Sequence, residues 1–161
     1  MKIGACVPVY NRERFIGPYL DMLIEFDITP VVALGDTPWE GGFGESLDKD
    51  RTELILDKFF PNVKVIKRTF PRHRDSVNQA LVNGLRDMDI VVVNDCDMYI
   101  TKDDWEEFLR FMGNNTNYDV YSVNFETMFI EYYYDWRYGK AALPGGTPPM
   151  VAMKKGVEFK N

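Results

Sequence analysis

The feature that most constrains the fold is the alternation of short apolar runs with helical patterns over the first two-thirds of the chain. The segment Asp89–Val93 contains Ile-Val-Val-Val without polar alternation, which is typical of a strand covered on both faces. Similar runs predict strands at Lys2–Val9, Pro30–Leu34 and Val63–Lys67. Apolar residues at helical spacing predict helices at Glu13–Phe26, Asp48–Phe59, Arg74–Arg86 and Thr101–Met112. Thr101 and Asp104 predict a capping box at the start of the last helix. This order predicts an α/β fold with a mostly parallel central sheet, right-handed crossovers and helices on both faces.

The pattern changes after Asn117, where strand-like runs follow one another without intervening helices. Strands are predicted at Tyr118–Asn124, Met128–Tyr134 and Met150–Met153, and Pro144–Pro149 forms a turn-rich stretch. We therefore expect a small irregular or antiparallel C-terminal part within a single domain that spans residues 1–161.

The composition limits the classes of function that this chain could have. Its 161 residues suffice for one domain with a hydrophobic core, and its net charge of −6 argues against nucleic-acid binding. No run approaches the roughly 20 apolar residues of a membrane-spanning helix, and the N-terminus resembles a first strand rather than a signal peptide. Cys6 and Cys96 lack CxxC spacing, so two reduced thiols in a cytoplasmic protein are expected.

The most informative residues are Asn94-Asp95-Cys96-Asp97-Met98, which directly follow the buried strand Asp89–Val93 and include two aspartates two positions apart. If the chain stays extended there, both carboxylates point to the same side. Like charges this close repel each other, so either one carboxyl group is protonated or a cation bridges the two. Carboxylate oxygens suit Mg²⁺ or Mn²⁺. The alternative is a solvated turn that caps the following helix.

Other strand ends should bring polar side chains to the same edge of the sheet. Asp36 follows the second strand, and the first strand leads into Pro8–Arg12. In parallel sheets, ligands bind outside the carboxyl ends of the strands, so we expect these residues to converge with Asp95 and Asp97. As an alternative, Asp36 is simply a turn residue before Thr37-Pro38.

These residues resemble a known family. Val7–Arg12 (Val-Pro-Val-Tyr-Asn-Arg), followed by Phe15-Ile16 and Leu20, is similar to the opening of glycosyltransferase family two, which has the GT-A fold. Asp95-Cys96-Asp97 matches the metal-binding DxD motif of that family. The resemblance spans roughly Lys2 to Met112. It implies a donor-binding part over residues 1–112 and a sugar-acceptor part over 113–161. Because little follows Met150–Lys155, the acceptor part is either incomplete or that of a minimal transferase that finds its base elsewhere.

The resemblance implies a metal-dependent transferase that moves a sugar from a UDP- or GDP-sugar to a carbohydrate or other hydroxyl acceptor. It implies Mn²⁺ or Mg²⁺ as the cofactor, with Asp97 as the first choice of direct ligand and Asp95 bound to the metal, the ribose or the sugar. The positions implied to bind the nucleotide sugar are Pro8, Tyr10, Asn11, Arg12, Asp36, Arg74, Asn78 and Asp95. Val77 departs from the family pattern, because arginine is usual there. The end of the second strand also departs from it, which leaves the preferred base open.

An inverting transferase needs a base that deprotonates the acceptor hydroxyl. Glu126, Glu131 and Asp135 follow the DxD motif, and we rank Asp135 and Glu131 first as catalytic residues. Both lie in Glu131–Trp136, whose aromatic side chains could stack on sugar rings; alternatively, these rings belong to the core or to a dimer surface. The basic cluster Arg72–Arg74 either holds the diphosphate or forms a solvated helix entry.

Three other functions remain open from the sequence. A non-catalytic nucleotide-sugar or glycan-binding domain of the same fold would need no base. A nucleotidyltransferase on a similar sheet would release pyrophosphate from a nucleoside triphosphate. A phosphatase of the haloacid-dehalogenase type also uses a DxD motif, but there the motif generally lies on the first strand.

Overall fold

The computed structural model describes residues 1–38, 48–59, 61–118, 120–123 and 150–154. The strands in these ranges are β1 (Ile3–Val9), β2 (Thr29–Gly35), β3 (Lys64–Arg68), β4 (Ile90–Asn94), β5 (Val120–Val123) and β6 (Met150–Lys154). The helices are α1 (Ile16–Glu25), α2 (Thr52–Leu56), α3 (His73–Gly84) and α4 (Lys102–Asn114), and a 3₁₀ turn at Asp57–Phe59 extends α2. Within these ranges, no helix combines the length and the apolar character needed to cross a bilayer.

The strands form one sheet in the order β3-β2-β1-β4-β6-β5. The first four in that order are parallel, whereas β6 runs antiparallel to both β4 and β5. The predicted α/β class, with a mostly parallel sheet and a small antiparallel C-terminal part, is confirmed. Two of the three late strands predicted from the sequence are present, and the third, at Met128–Tyr134, lies outside the described residues.

The two faces of the sheet carry separate hydrophobic cores, which explains the unbroken apolar runs. Every residue of β1 is buried. Its odd-numbered residues, such as Val7, join the core that includes α1, α2 and α4. Its even-numbered residue Cys6 joins Val77 and Ala80 of α3 on the other face. Since both faces are covered by helices, each position of the strand is selected for apolar character.

The ends of the helices follow local hydrogen bonding. α1 begins at Ile16 rather than at the predicted Glu13, because Glu13 is drawn towards the start of α2. It ends in a Schellman motif: Ile28 N–H donates to the Leu23 carbonyl at 2.8 Å, and Asp27 adopts a φ of 57°. α4 has the predicted cap, because Thr101 Oγ1 accepts a hydrogen bond from Asp104 N–H at 3.2 Å.

The close packing of α3 on the sheet gives a first prediction. A Cβ atom at Gly84 would lie 2.7 Å from Val31 Cγ2 and 3.0 Å from Val31 Cγ1. Val31 is buried and β-branched, so it cannot turn away, and we expect Gly84→Ala to destabilise the protein by about 1–3 kcal/mol in urea unfolding. The matched control is Gly113→Ala in α4, where a Cβ meets nothing within 4 Å. The free energy of unfolding of Gly113→Ala should equal that of the wild type or exceed it by up to about 1 kcal/mol. A Gly84→Ala variant as stable as the wild type would contradict the close packing of α3 on Val31.

Candidate functional site

The order of the strands places a crevice at the carboxyl ends of β1 and β4. β2 lies on one side of β1 and β4 on the other, with α1 and α3 covering opposite faces of the sheet. The direction of winding therefore reverses between β1 and β4. Open α/β sheets bind their ligands at such a reversal, outside the carboxyl ends of the strands. The residues that follow these strands, Tyr10–Arg12 and Asp95–Met98, form the candidate site.

Asp95–Met98 forms a tight turn, which we call the DxD turn. Met98 N–H donates to the Asp95 carbonyl at 3.1 Å. The chain is therefore bent here, and the condition under which both carboxylates would point to the same side, an extended chain, is not met. Both aspartate side chains nevertheless reach the surface, because Asp95 and Asp97 are exposed while Cys96 is 2% exposed and packs into the core. The buried Cys96 thus anchors the turn and leaves both carboxylates at the surface.

The pKa of the Cys96 thiol depends on its burial and on the charged side chains around the turn. Burial raises the pKa of Cys96 to about 12, and the neighbouring carboxylates of Asp97 and Asp95 contribute to the increase. The Arg12 guanidinium acts in the opposite direction and lowers this pKa. Cys96 is therefore a protonated packing group at neutral pH. Arg12, which follows β1, contributes positive charge to the surroundings of the DxD turn.

Asp36 lies at the same edge but on the far side of β1. Val9 of β1 pairs with Leu34 of β2, so Asp36 lies beyond the end of β2, level with Asn11. Two strand spacings, roughly 10 Å, separate the line of β2 from that of β4. Among the described residues, no group of three or more His, Cys, Asp or Glu side chains is arranged to hold a metal ion. The expected convergence is thus limited to a shared edge, and Asp36 does not join Asp95 and Asp97 in one cluster.

The Asp36 carboxylate has one satisfied and one unsatisfied oxygen. Thr69 Oγ1 donates to Oδ2 at 2.9 Å. Oδ1 is buried and has no hydrogen-bond partner among the residues that the structure describes. Nearby, the ends of β1 and β2, the start of α2 and Lys67 of β3 line an open cavity of about 50 Å³. Its lining residues are Tyr10, Asn11, Leu34, Gly35, Lys49, Asp50, Thr52, Glu53 and Lys67.

A set of hydrogen bonds, which we call the α2 latch, ties the end of β1 to the start of α2. Asn11 adopts a φ of 48°, a left-handed conformation that asparagine tolerates better than most residues. Its Nδ2 donates to the Asp48 carbonyl at 2.8 Å, and its Oδ1 accepts from Asp50 N–H at 3.3 Å. Arg12 N–H donates to Thr52 Oγ1 at 2.7 Å. Both polar atoms of the Asn11 amide are therefore used to shape the loop.

Asp50 completes the latch from the side of α2. Its carboxylate accepts hydrogen bonds from Glu13 N–H at 2.9 Å and from Thr52 N–H at 2.8 Å. Partial burial alone would raise the pKa of Asp50, but these bonds, with that of the Thr52 side chain, lower it below its ordinary value. The ionised form of Asp50 is thus the one that stabilises the fold.

The other predicted site residues fall in three places. Pro8 is buried within β1. Arg74 and Asn78 lie in α3, and their side chains are outside what the structure describes. Glu131 and Asp135 also lie outside the described residues. The segment that contains them, 124–149, begins after Val123 and ends before Met150, and Met150 pairs with both Val123 and Asn94 at the carboxyl edge.

Sequence reasoning missed several residues that shape this edge. Asp50 and Thr52 act through contacts with residues some 40 positions away, which no local pattern reveals. Tyr99 and Tyr19 lie beside the DxD turn, although neither carries charge, and no role was predicted for Asn94, which binds the Met98 carbonyl. One signal was present: an asparagine ends the buried apolar run of β4, and a polar residue there is unusual unless its amide is used.

The comparisons with known proteins identify the family. The profile of Glycosyl transferase family 2 matches residues 5–157, nearly the whole chain. The chain belongs to glycosyl transferase family 2. No protein of curated function matches it in sequence.

Solved structures agree with the fold expected for this family 2 member. TarS 1-349 from S. aureus superposes with a TM-score of 0.63 at 20% identity, covering 96% of this chain and 47% of that chain. The complex of TarS 1-349 with UDP-GlcNAc superposes with a TM-score of 0.57 at 18% identity, covering 94% of this chain and 45% of that chain. The 4-diphosphocytidyl-2C-methyl-D-erythritol synthase from Anaerococcus prevotii superposes with a TM-score of 0.53 at 15% identity, covering 96% of this chain and 70% of that chain. The GT-A fold is thereby confirmed, and this chain spans less than half of the TarS chains.

The α2 latch gives a second prediction. Asp50→Ala removes the hydrogen bonds of a carboxylate and should destabilise the protein by about 2 kcal/mol near neutral pH. Because the folded pKa of Asp50 is lowered, this contribution is complete above its ordinary pKa of about 4 and is lost as the pH falls through the folded value. In urea unfolding, the difference in free energy of unfolding between Asp50→Ala and the wild type should therefore be smaller below about pH 3 than near neutral pH. Asp21→Ala, an exposed position of α1, is the control, and a pH-independent difference would contradict this role for Asp50.

Proposed function

We propose that this protein is a metal-dependent glycosyltransferase that moves a sugar from a nucleoside-diphosphate sugar to an acceptor hydroxyl. The observation that carries the proposal is the pair of exposed carboxylates, Asp95 and Asp97, at the reversal point of a family 2 sheet. TarS, whose fold this chain shares, has been crystallised with UDP and with UDP-GlcNAc. These complexes support a uridine nucleotide sugar as the first donor to test.

The carboxylates of the DxD turn suit a divalent cation that is bound partly by the protein and partly by substrate phosphates. Asp95 and Asp97 offer hard oxygen donors, and no third His, Cys, Asp or Glu joins them within the described ranges. Mg²⁺ is commonly bound by one or two carboxylates together with substrate phosphates, rather than by a cage made only of protein ligands. When bound, such a cation neutralises the charge that grows on the leaving diphosphate. In our proposal Asp97 is the direct ligand, and Asp95 binds the metal, the ribose or the sugar.

The nucleoside would lie on the β2 side of the DxD turn. Asp36 Oδ1 is buried and unpartnered among the described residues, so it can accept a hydrogen bond from a ribose hydroxyl or a base N–H. Tyr10 and Asn11 line the adjoining cavity, and the α2 latch fixes the backbone there. Arg12 brings positive charge between this cavity and the turn, where a diphosphate would need it.

The acceptor would enter from the side of β5 and β6. The segment 124–149 leaves and rejoins the sheet at the carboxyl edge, where Met150 pairs with Asn94 next to the DxD turn. Asp135 and Glu131 lie on this segment, so its two anchored ends support them as candidates for the base that deprotonates the acceptor hydroxyl.

Donor binding is the most direct test. Saturating UDP with Mn²⁺ should stabilise the wild type by about 2–3 kcal/mol in thermal unfolding, and UDP alone should stabilise it less. Asp97→Ala should lose the metal-dependent part while keeping its fold. Asp87→Ala is the matched control, because Asp87 is an exposed aspartate just before β4, at the opposite edge of the sheet. Equal metal-dependent stabilisation of Asp97→Ala and the wild type would count against the proposed site.

Turnover then separates the proposed transferase from a binding domain. Wild-type protein should release UDP from UDP-sugars in the presence of an acceptor, and Asp135→Asn or Glu131→Gln should lower kcat by about 10²–10⁴-fold without weakening donor binding. Donor binding without any turnover across an acceptor library would instead indicate a non-catalytic domain. Release of pyrophosphate from a nucleoside triphosphate would indicate a nucleotidyltransferase.

A further inference from the structure

Arg12 carries positive charge between the two halves of the candidate site. It follows β1 and is partly buried. Burial raises the pKa of the Cys96 thiol in the DxD turn, and the Arg12 guanidinium acts in the opposite direction. Burial also acts to raise the pKa of Asp50 in the α2 latch, whereas hydrogen bonds and, to a smaller extent, the Arg12 guanidinium lower it. The charge of Arg12 therefore acts on both sides of the site, and the direction in which its side chain leaves the backbone decides what it can reach.

Both peptide units that flank the Cα atom of Arg12 are held by hydrogen bonds. On the N-terminal side, Arg12 N–H donates to Thr52 Oγ1 at 2.7 Å. On the C-terminal side, the Arg12 carbonyl accepts from Phe15 N–H and Ile16 N–H at 3.0 Å each, where α1 begins. Because each peptide unit is planar, fixing both units sets φ and ψ of Arg12 and therefore the direction of its Cα–Cβ bond.

The acceptor of the Arg12 N–H, Thr52 Oγ1, is itself held in place at the start of α2. Thr52 is 3% exposed, and its N–H donates to Asp50 Oδ1 at 2.8 Å. The other oxygen of the same carboxylate, Oδ2, accepts from Glu13 N–H at 2.9 Å. Two consecutive N–H groups after β1, those of Arg12 and Glu13, thus donate to side chains at the start of α2.

The bond to Thr52 differs from the others around Arg12 in what supplies it. The bonds at the Arg12 carbonyl join backbone atoms, so no substitution of a side chain removes them directly. The bond at its N–H depends on one hydroxyl, and without that hydroxyl the peptide unit before Arg12 loses this acceptor. An arginine binds phosphate oxygens in pairs through a planar fork, which requires that the side chain start from a defined position.

We propose that Thr52 is a positioning residue for the diphosphate of the nucleotide sugar, acting through Arg12. Its hydroxyl oxygen holds Arg12 N–H and thereby aims the guanidinium at a diphosphate that lies between the nucleoside cavity and the DxD turn. This inference rests on the proposed function. It adds that phosphate binding is set from α2, by a residue 40 positions along the chain from Arg12.

The first test separates phosphate binding from nucleoside binding. Thr52→Val and Thr52→Ala both remove the hydroxyl, whereas Thr52→Ser keeps it. UDP affinity without metal, measured by calorimetry, should fall about 10-fold in the first two variants and stay at the wild-type value in Thr52→Ser, because only the former misplace the charge-assisted hydrogen bonds of Arg12. Uridine affinity, measured by ligand-observed NMR, should be unchanged in all three variants, since uridine has no phosphate.

Gly84→Ala is the control for a loss of stability alone. Its added Cβ atom would meet Val31 between α3 and β2, so it should destabilise the protein without touching the α2 latch. Its affinity for UDP should equal that of the wild type.

A double variant tests the route through Arg12. Arg12→Gln removes the guanidinium while keeping the N–H that Thr52 accepts, and it should itself weaken UDP binding. Adding Thr52→Val to Arg12→Gln should lower UDP affinity by less than about 2-fold more, because the two residues act as one unit.

Three results would overturn the inference. The first is a UDP affinity of Thr52→Val and Thr52→Ala equal to that of the wild type. The second is an equal loss of UDP and uridine affinity, which indicates a general structural role or a direct contact with the nucleoside. The third is fully additive losses in the double variant, which exclude a route through Arg12. A wild-type protein whose UDP binding is not strengthened by Mn²⁺ would overturn the proposed function instead, which distinguishes the two failures.

Discussion

The burial of β1 on both faces is the constraint on which the rest of the structure depends. β1 pairs with β2 on one side and β4 on the other, and helices cover it above and below. A strand in this position cannot have polar residues along its length, so its polar groups begin where it ends, at Tyr10–Arg12. The reversal of winding next to β1 opens the sheet at that same end. The core and the candidate site are thus two results of one arrangement.

Helix α1 links the two halves of that site. Its N-terminal approach, from Arg12 to Phe15, is joined to the α2 latch through the bond from Arg12 N–H to Thr52. Its next turns contact the residues around the DxD turn through Tyr19 and Met22. The proposed nucleoside-binding side and the proposed metal-binding side are therefore both attached to helix α1. A site that must hold the nucleobase and the diphosphate of one ligand at a fixed separation benefits from a common support.

The sequence predicted those features that depend on neighbouring residues. The four parallel strands follow from their apolar runs, the α4 cap from Thr101 and Asp104, and the family from Val7–Arg12 with the DxD motif. Features that depend on distant partners were missed or misjudged. α2 is shorter than predicted because the residues before it bind the loop after β1, and the DxD turn is bent because Cys96 enters the core. Neither cause is visible in a window of local sequence.

The pairing of β6 with both β4 and β5 has a consequence for how such chains diversify. β6 lies between β4 and β5, so the segment 124–149 is clamped at both ends by backbone hydrogen bonds that no particular side chain has to supply. Its length and composition can change while Asn94 and the strands behind it stay in register. If the proposed function holds, exchanging this segment between family members is a rational way to alter which hydroxyl is glycosylated while the proposed donor half is retained unchanged.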